Sequence, residues 1–267
     1  MSHSKKNLSV FLYLDYPSSS LKTDEICERL NKFGITSCNR GDFYSYLNLS
    51  ESEINELSEN LSQIAISDIE REYAFCTPDI AQIKFESGII RKHNAPDIKR
   101  LYDGHLLNSL FFRALLNKHA DLVLKNEVHI VFTSRLFCTF GDKRYHARVL
   151  LTGIPSLIST TGLVEAPAKP REYYWLKASF IQSGKDLKEL NEIYTGRIVE
   201  YDDPKITDIL YSYALQVIFY NITGNPFCDD KQCCLYNSHW QEEVLKAQLS
   251  GELCSTHCEE IKNYILV

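Results

Sequence analysis

The chain has no uninterrupted apolar run near the ~20 residues that a bilayer-spanning helix needs, so no membrane partner is expected. It has no excess of positive charge either. Its 29 Lys and Arg face 35 Asp and Glu, for a net charge of −6. Without the basic footprint of nucleic-acid binders, no nucleic-acid partner is expected. There is no glycine-rich phosphate loop, no G-x-S-x-G elbow and no Cys-His nucleophile signature, which argues against the usual nucleotidase and covalent hydrolase chemistries. Internal repeats and low-complexity stretches are absent as well.

What remains is an ordinary folded composition, 44% apolar and 24% charged over 267 residues, long enough to bury a sizeable core. The opening MSHSKKNLSVFLYLDY pairs two lysines with a short apolar stretch and no small-residue cleavage site, and reads as a first strand rather than a leader. The expected location is cytoplasmic. Residues 8–14 alternate as a strand, and Thr23-Asp24-Glu25 opens an amphipathic helix that Gly34 ends. A second strand is expected near 35–44, and Ser50 with Glu53 forms a capping-box pattern for a helix over 51–64. Helical spacing recurs from His105 to His119. Glu127–Ser134, Tyr145–Thr152 and Leu157–Val164 read as three strands. A proline-rich connection, 166–170, then crosses in extended form, and a short helix covers 185–194. Pro204 opens a long helix with Ile206, Ile209, Leu210, Tyr213, Val217 and Tyr220 on one face, ended by Gly224. A last helix runs from His239 to Leu249. The pattern is α/β or α+β, a mixed sheet flanked by helices. A soft boundary near 100 divides an N-terminal α/β region, 1–100, from a second region, 101–267.

Nine cysteines are many for a reducing compartment. Cys27, Cys38, Cys76 and Cys138 lie singly and read as small packed hydrophobes. The other five crowd together: Cys228, Cys233, Cys234, Cys254 and Cys258. Such clustering reads as metal before disulfide. Cys228 and Cys233 flank a polar four-residue turn, and Cys254-x-x-His257 supplies a second pair at tetrahedral-site spacing. One helix between the pairs has the length to bring them together. The expected site is one structural zinc per chain on Cys228, Cys233, Cys254 and His257, with Cys258 competing for the fourth position. Cys234, next to Cys233, cannot face the same ion without distorting the turn.

The long helix, its glycine and this cluster together resemble archaemetzincins, zinc peptidases of archaea and some eukaryotes. That family carries H-E-x-x-H-x-x-G-x-x-H, with a cysteine directly after the last histidine, a second after a four-residue gap, and a later C-x-x-C. Here Gly224, Cys228 and Cys233 keep that frame, and Cys254 and His257 stand in for the last pair after a longer spacer. The resemblance implies a zincin-like fold and a metallopeptidase ancestry, in an archaeal branch whose motif is degenerate. In its register the three zinc histidines become Val217, Asn221 and Phe227, and the general-base glutamate becomes Ile218. Neither a zinc-bound water nor its base is available from such residues, so no catalytic residue is assigned and a peptide- or protein-binding pseudoenzyme is expected. The alternative is a hydrolase with a site rebuilt from His146, Glu165, His239 or Glu242.

A second concentration of polar groups lies mid-chain. Arg144, His146 and Arg148 share one face of a strand by its period of two. Glu165, at the end of the next strand, is expected to orient one arginine and leave the other for an anionic ligand. The plain reading of the same residues is a solvated sheet face with a cross-strand ion pair.

Overall fold

Val10 and Leu12 are fully buried while Ser9 and Phe11 keep partial exposure, the alternation of a strand with a differently packed layer on each side. The computed structural model describes residues 8–16, 18–91, 100–119 and 127–266. It begins with β1 (Ser9–Leu14), α1 (Thr23–Lys32), β2 (Thr36–Asp42), α2 (Phe43–Leu47) and α3 (Glu51–Gln63). Then come α4 (Ile80–Ile90), β3 (Leu101–Asp103), α5 (Gly104–Lys118), β4 (Glu127–Thr133), β5 (Leu136–Gly141) and β6 (Arg144–Ala147). Next are β7 (Leu150–Leu151), β8 (Ser156–Ser159), α6 (Thr160–Glu165), α7 (Arg171–Ser183) and α8 (Leu187–Ile193). The chain closes with α9 (Ile206–Thr223), α10 (Gln241–Ala247) and α11 (Ser255–Leu266).

Five strands form a mixed sheet in the order β2-β1-β4-β8-β7, parallel except for β7 at one edge. Strands from both sides of residue 100 therefore share one sheet. A three-stranded sheet, β3-β5-β6, lies apart from it. Parallel strands need both faces covered, and both are. On one face Leu12, Ile130, Phe132 and Ile158 pack with Ile26 and Leu30 of α1 and with α9. On the other, Tyr13, Val131 and Leu157 pack with Phe43, Leu61, Leu107 and Phe111 from α2, α3 and α5.

Local signals act as the sequence implies. Ser50 and Glu53 form the capping box of α3, with Glu53 Oε2 accepting from Ser50 N at 2.7 Å. Gly34 and Gly224 take φ of +91° and +80° after α1 and α9, the left-handed region where only glycine is unstrained. The 166–170 connection opens on Ala166 in helical conformation rather than the expected extended one, and then bridges Trp240 through Ala168. The outer edge of β2 is closed at Ser37 by the Asn31 side chain, which accepts from Ser37 N at 2.9 Å and donates to Ser37 O at 3.3 Å.

Other expectations need correction. The stretch Tyr145–Thr152 is two strands in two different sheets, β6 and β7, with Arg148 and Val149 between them. Leu157–Val164 is strand only to Ser159, whose Oγ accepts from Gly162 N at 2.7 Å and caps α6. The long helix α9 starts at Ile206 and is apolar on nearly every side, because all of 206–219 except Asp208 is buried; Tyr220 is exposed instead. β5, α7 and α11 have no counterpart in the sequence reading. Helices α7 and α8 form a hairpin with a small core of its own, Tyr173, Phe180, Leu190, Tyr194 and Ile198.

Candidate metal centre

The segment after α9 folds back on itself: Cys228 N donates to Leu235 O at 3.0 Å, and Cys233 N to Asp230 O at 3.1 Å. This turn directs Cys228 and Cys233 to one side. Helix α10 then returns the chain so that Cys254 directly precedes α11, with His257 in its first turn. One ligand atom from each of Cys228, Cys233, Cys254 and His257 lies within 4.8 Å of all the others. Cys228 Sγ and Cys254 Sγ are 3.9 Å apart, and Cys254 Sγ is 3.0 Å from His257 Nδ1. Sulfurs bound tetrahedrally at ~2.3 Å from zinc stand about 3.8 Å apart, so the thiol spacing suits a small tetrahedral cation.

Backbone donors reach two of the sulfurs. Asp230 N donates to Cys228 Sγ at 3.3 Å and Cys254 N to Cys233 Sγ at 3.4 Å. The Cys233 thiol is pulled down to about 5, first by the Cys234 side chain and then, against burial, by backbone N–H groups of Cys254 and Leu235. Burial pushes Cys228 up to about 12. A cation bound among the sulfurs would favour the thiolate form. His257 stacks edge-on against Phe219, with ring centroids 5.1 Å apart, and its Nε2 lies 3.9 Å from Glu260 Oε2.

Cys258, the competitor for the fourth position, and Cys234 face elsewhere. Cys258 Sγ is directed at Leu253 O, 3.6 Å away. Cys234 is fully buried in the main core, and its thiol is raised by its hydrogen bond to Cys233 and by burial. Sequence reasoning missed Gln248, which is also fully buried. Its Nε2 donates to Tyr236 O at 2.6 Å and Cys234 O at 3.2 Å, and its Oε1 accepts from Ser238 Oγ at 2.7 Å. It ties the cysteine turn to α10. No spacing rule announces such a residue; only its burial does.

The positions that the resemblance assigns to catalytic residues divide between core and surface. Val217 and Ile218 are fully buried within the main core, whereas Asn221 and Phe227 are exposed. Asn221 Nδ2 donates back to Val217 O at 2.8 Å. Among the described residues, Cys228, Cys233, Cys254 and His257 are the group of His, Cys, Asp and Glu that could hold a metal ion. Glu243 caps α10, accepting from His239 N at 2.9 Å and Trp240 N at 3.1 Å, and Glu242 pairs with Arg197 at 2.7 Å.

Arg144, His146 and Arg148 lie along and just beyond β6, with Arg144 and Arg148 exposed and His146 half-buried. Arg148 Nε donates to Thr139 Oγ1 at 2.8 Å, and His146 Nε2 lies 2.9 Å from Gly141 O. Glu165 ends helix α6 rather than a strand and accepts from Tyr201 Oη at 2.5 Å. The side chain that holds Arg148 in the structure is thus Thr139, on the neighbouring strand.

Among solved structures, the archaemetzincin of Methanopyrus kandleri is similar over 98% of this chain and 97% of its own, at 10% identity and a TM-score of 0.44. A zinc-dependent peptidase of Methanocorpusculum labreanum is similar over 96% of this chain and 99% of its own, at 12% identity and a TM-score of 0.40. Comparison with curated proteins finds no match. A family model described as "Probable metallopeptidase family (DUF6775)" matches residues 6–264, and the chain belongs to that family.

Proposed function

We propose that this chain is a non-hydrolytic member of its metallopeptidase family, stabilised by one structural zinc and binding a peptide or protein. The observation that carries the reading is the distribution of donors. Three thiols and an imidazole converge in one closed set, which leaves no open position for a substrate or an activated water. The helix positions that the resemblance gives to the first zinc histidine and to the general base carry Val217 and Ile218, buried and with neither a lone pair nor a carboxylate to offer. Zinc bound at Cys228, Cys233, Cys254 and His257 would supply folding energy, roughly 10–16 kcal/mol of apparent binding in small zinc peptides.

The partner is read as a protein segment rather than nucleic acid, in keeping with the net charge of −6. Arg144 and Arg148 are exposed cations that suit a carboxylate by bidentate geometry, with Thr139 fixing the second of them. A cytoplasmic setting suits the free thiols. The test is to purify the protein with zinc present, count metal per chain and assay hydrolysis of a mixed peptide library. One zinc and no cleavage supports the reading. A second bound metal, or cleavage abolished by Asn221→Ala, overturns it in favour of a hydrolase.

A further inference from the structure

Exposed large apolar side chains are concentrated in one place. Tyr174, Trp175, Leu176, Ile181, Leu187, Ile193 and Tyr201 are seven of the thirteen in the described residues, and all fall within or just after the α7–α8 hairpin. Trp175 is the extreme, at 78% exposure. Isolated exposed apolar residues need no explanation, but a contiguous group marks a contact surface. On α7 the inward residues are Tyr173 and Phe180. Helical periodicity therefore puts Arg171, Tyr174, Trp175, Ala178 and Ile181 on the outward arc.

The charges on the two helices differ in sign. The one acid of α7, Glu172, is held by Arg197 at 2.8 Å, and the helix keeps two cations, Arg171 and Lys177, that form no ion pair among the described residues. Helix α8 carries Glu189 and Glu192 against Lys188. Glu189, Glu192 and Ile193 are all exposed and share one helical face by their i, i+3, i+4 spacing. The hairpin thus offers an apolar surface with a basic half and an acidic half.

We propose that this surface binds a second copy of the same chain, as a two-fold dimer in which α7 of each protomer lies on α8 of the other. A two-fold contact presents the same patch from both sides, so a patch with one basic and one acidic helix is its own complement. Arg171 meets Glu189 and Glu192 of the partner twice over, around an apolar centre of Trp175, Ile181 and Ile193. An anionic membrane surface would meet only half of this arrangement, and Glu189 and Glu192 would be repelled. The hairpin face is about 20 Å long, at 1.5 Å per residue, and two helices wide. It lies at the small end of specific interfaces, so the dimer is weak and reversible.

The test is sedimentation equilibrium of the full chain, from low to several hundred micromolar, with zinc present. A reversible monomer–dimer equilibrium is expected. Trp175→Ala, at a site too exposed to matter for folding, should raise the dimer dissociation constant about tenfold or more. Arg171→Glu should do the same, and adding Glu189→Lys and Glu192→Lys should restore association. Unchanged circular dichroism and melting check that each variant is folded. A monomer at every concentration overturns the proposal, as does a dimer indifferent to Trp175→Ala and to the charge reversals. Binding of the monomer to vesicles of mixed neutral and anionic phospholipid, without self-association, would assign the surface to a membrane and also overturn it.

Discussion

Asp15 and Arg135, 120 residues apart in the chain, meet in the interior: Arg135 Nη1 donates to Asp15 Oδ2 at 2.7 Å, and both side chains are buried. They sit just past the carboxyl ends of β1 and β4, and the same guanidinium reaches Glu86 of α4 at 2.9 Å. Thr133 Oγ1 and Ser134 N also donate to Asp15, and Tyr102 Oη donates to Glu86 at 2.6 Å. One cation thus joins the central strands, α4 and the smaller sheet.

Removing that cation leaves two buried carboxylates facing each other. Arg135→Met should therefore cost about 3–5 kcal/mol, the range seen when one partner of a buried pair is deleted. Adding Asp15→Asn and Glu86→Gln should recover part of the loss, since the penalty lies in the unpaired charge. Urea denaturation of the single and triple variants measures both.

At the metal centre, Cys228→Ser and Cys254→Ser should each abolish stoichiometric zinc and lower stability by several kcal/mol, because metal binding and folding are coupled. His257→Ala should weaken zinc binding. Cys258→Ser should retain zinc, since that thiol faces Leu253 O. Metal analysis after dialysis, with thermal melting, checks all four. Unaltered zinc in the first two would remove the assignment.

His129 predicts a pH dependence. Its ring is buried, with Nδ1 2.9 Å from Tyr13 Oη and Nε2 3.4 Å from Glu127. Desolvation lowers it to about 4 against the pull of Glu127, from the ordinary 6.5 of an imidazole. The unfolded chain therefore binds more protons between these values. The contribution is complete above about 6.5 and lost as pH falls toward 4, amounting to roughly 3 kcal/mol. Unfolding free energies measured from pH 7 to 4 should show this fall in the wild type and a flatter profile in His129→Gln.

Gly162→Ala should destabilise, although alanine normally favours a helix. A Cβ there would lie 2.2 Å from the backbone oxygen of Arg148 and 2.9 Å from Ser159 Cβ. Main chain cannot yield as a flexible side-chain tip does, so a loss of about 1–3 kcal/mol is expected in denaturant titration.

The helix ends and the thiol spacing were legible because each is decided within a few residues. Ser50 needs only Glu53 to form its box, and Gly34 and Gly224 need only their own φ. The extents of β8 and α6 were not legible. Thr160, Thr161 and Val164 are β-branched and read as strand, yet the helix is capped by Ser159 and tied by Thr160 and Thr161 to the carbonyls of Thr133 and Ser134. The α7 helix escaped notice for another reason: Trp175 and Ile181 face solvent, so the apolar period that marks a helix is blurred. The sequence puts Glu165 beside the arginines only on the assumption that it ends a strand. Once Ser159 starts a helix, that assumption no longer holds. At the metal centre the four donors could be named from spacing, whereas Gln248 acts through buried contacts that no spacing encodes.

The Asn31 amide on the outer edge of β2 acts as a one-residue counterfeit of a neighbouring strand. It occupies both the donor and the acceptor that Ser37 would otherwise show to solvent. A strand from another molecule would have to evict this side chain before it could pair there, so growth of the large sheet by edge addition is blocked at that point. The fold thus guards against runaway, fibre-like stacking on this side with a single amide, and leaves association to surfaces whose geometry can close.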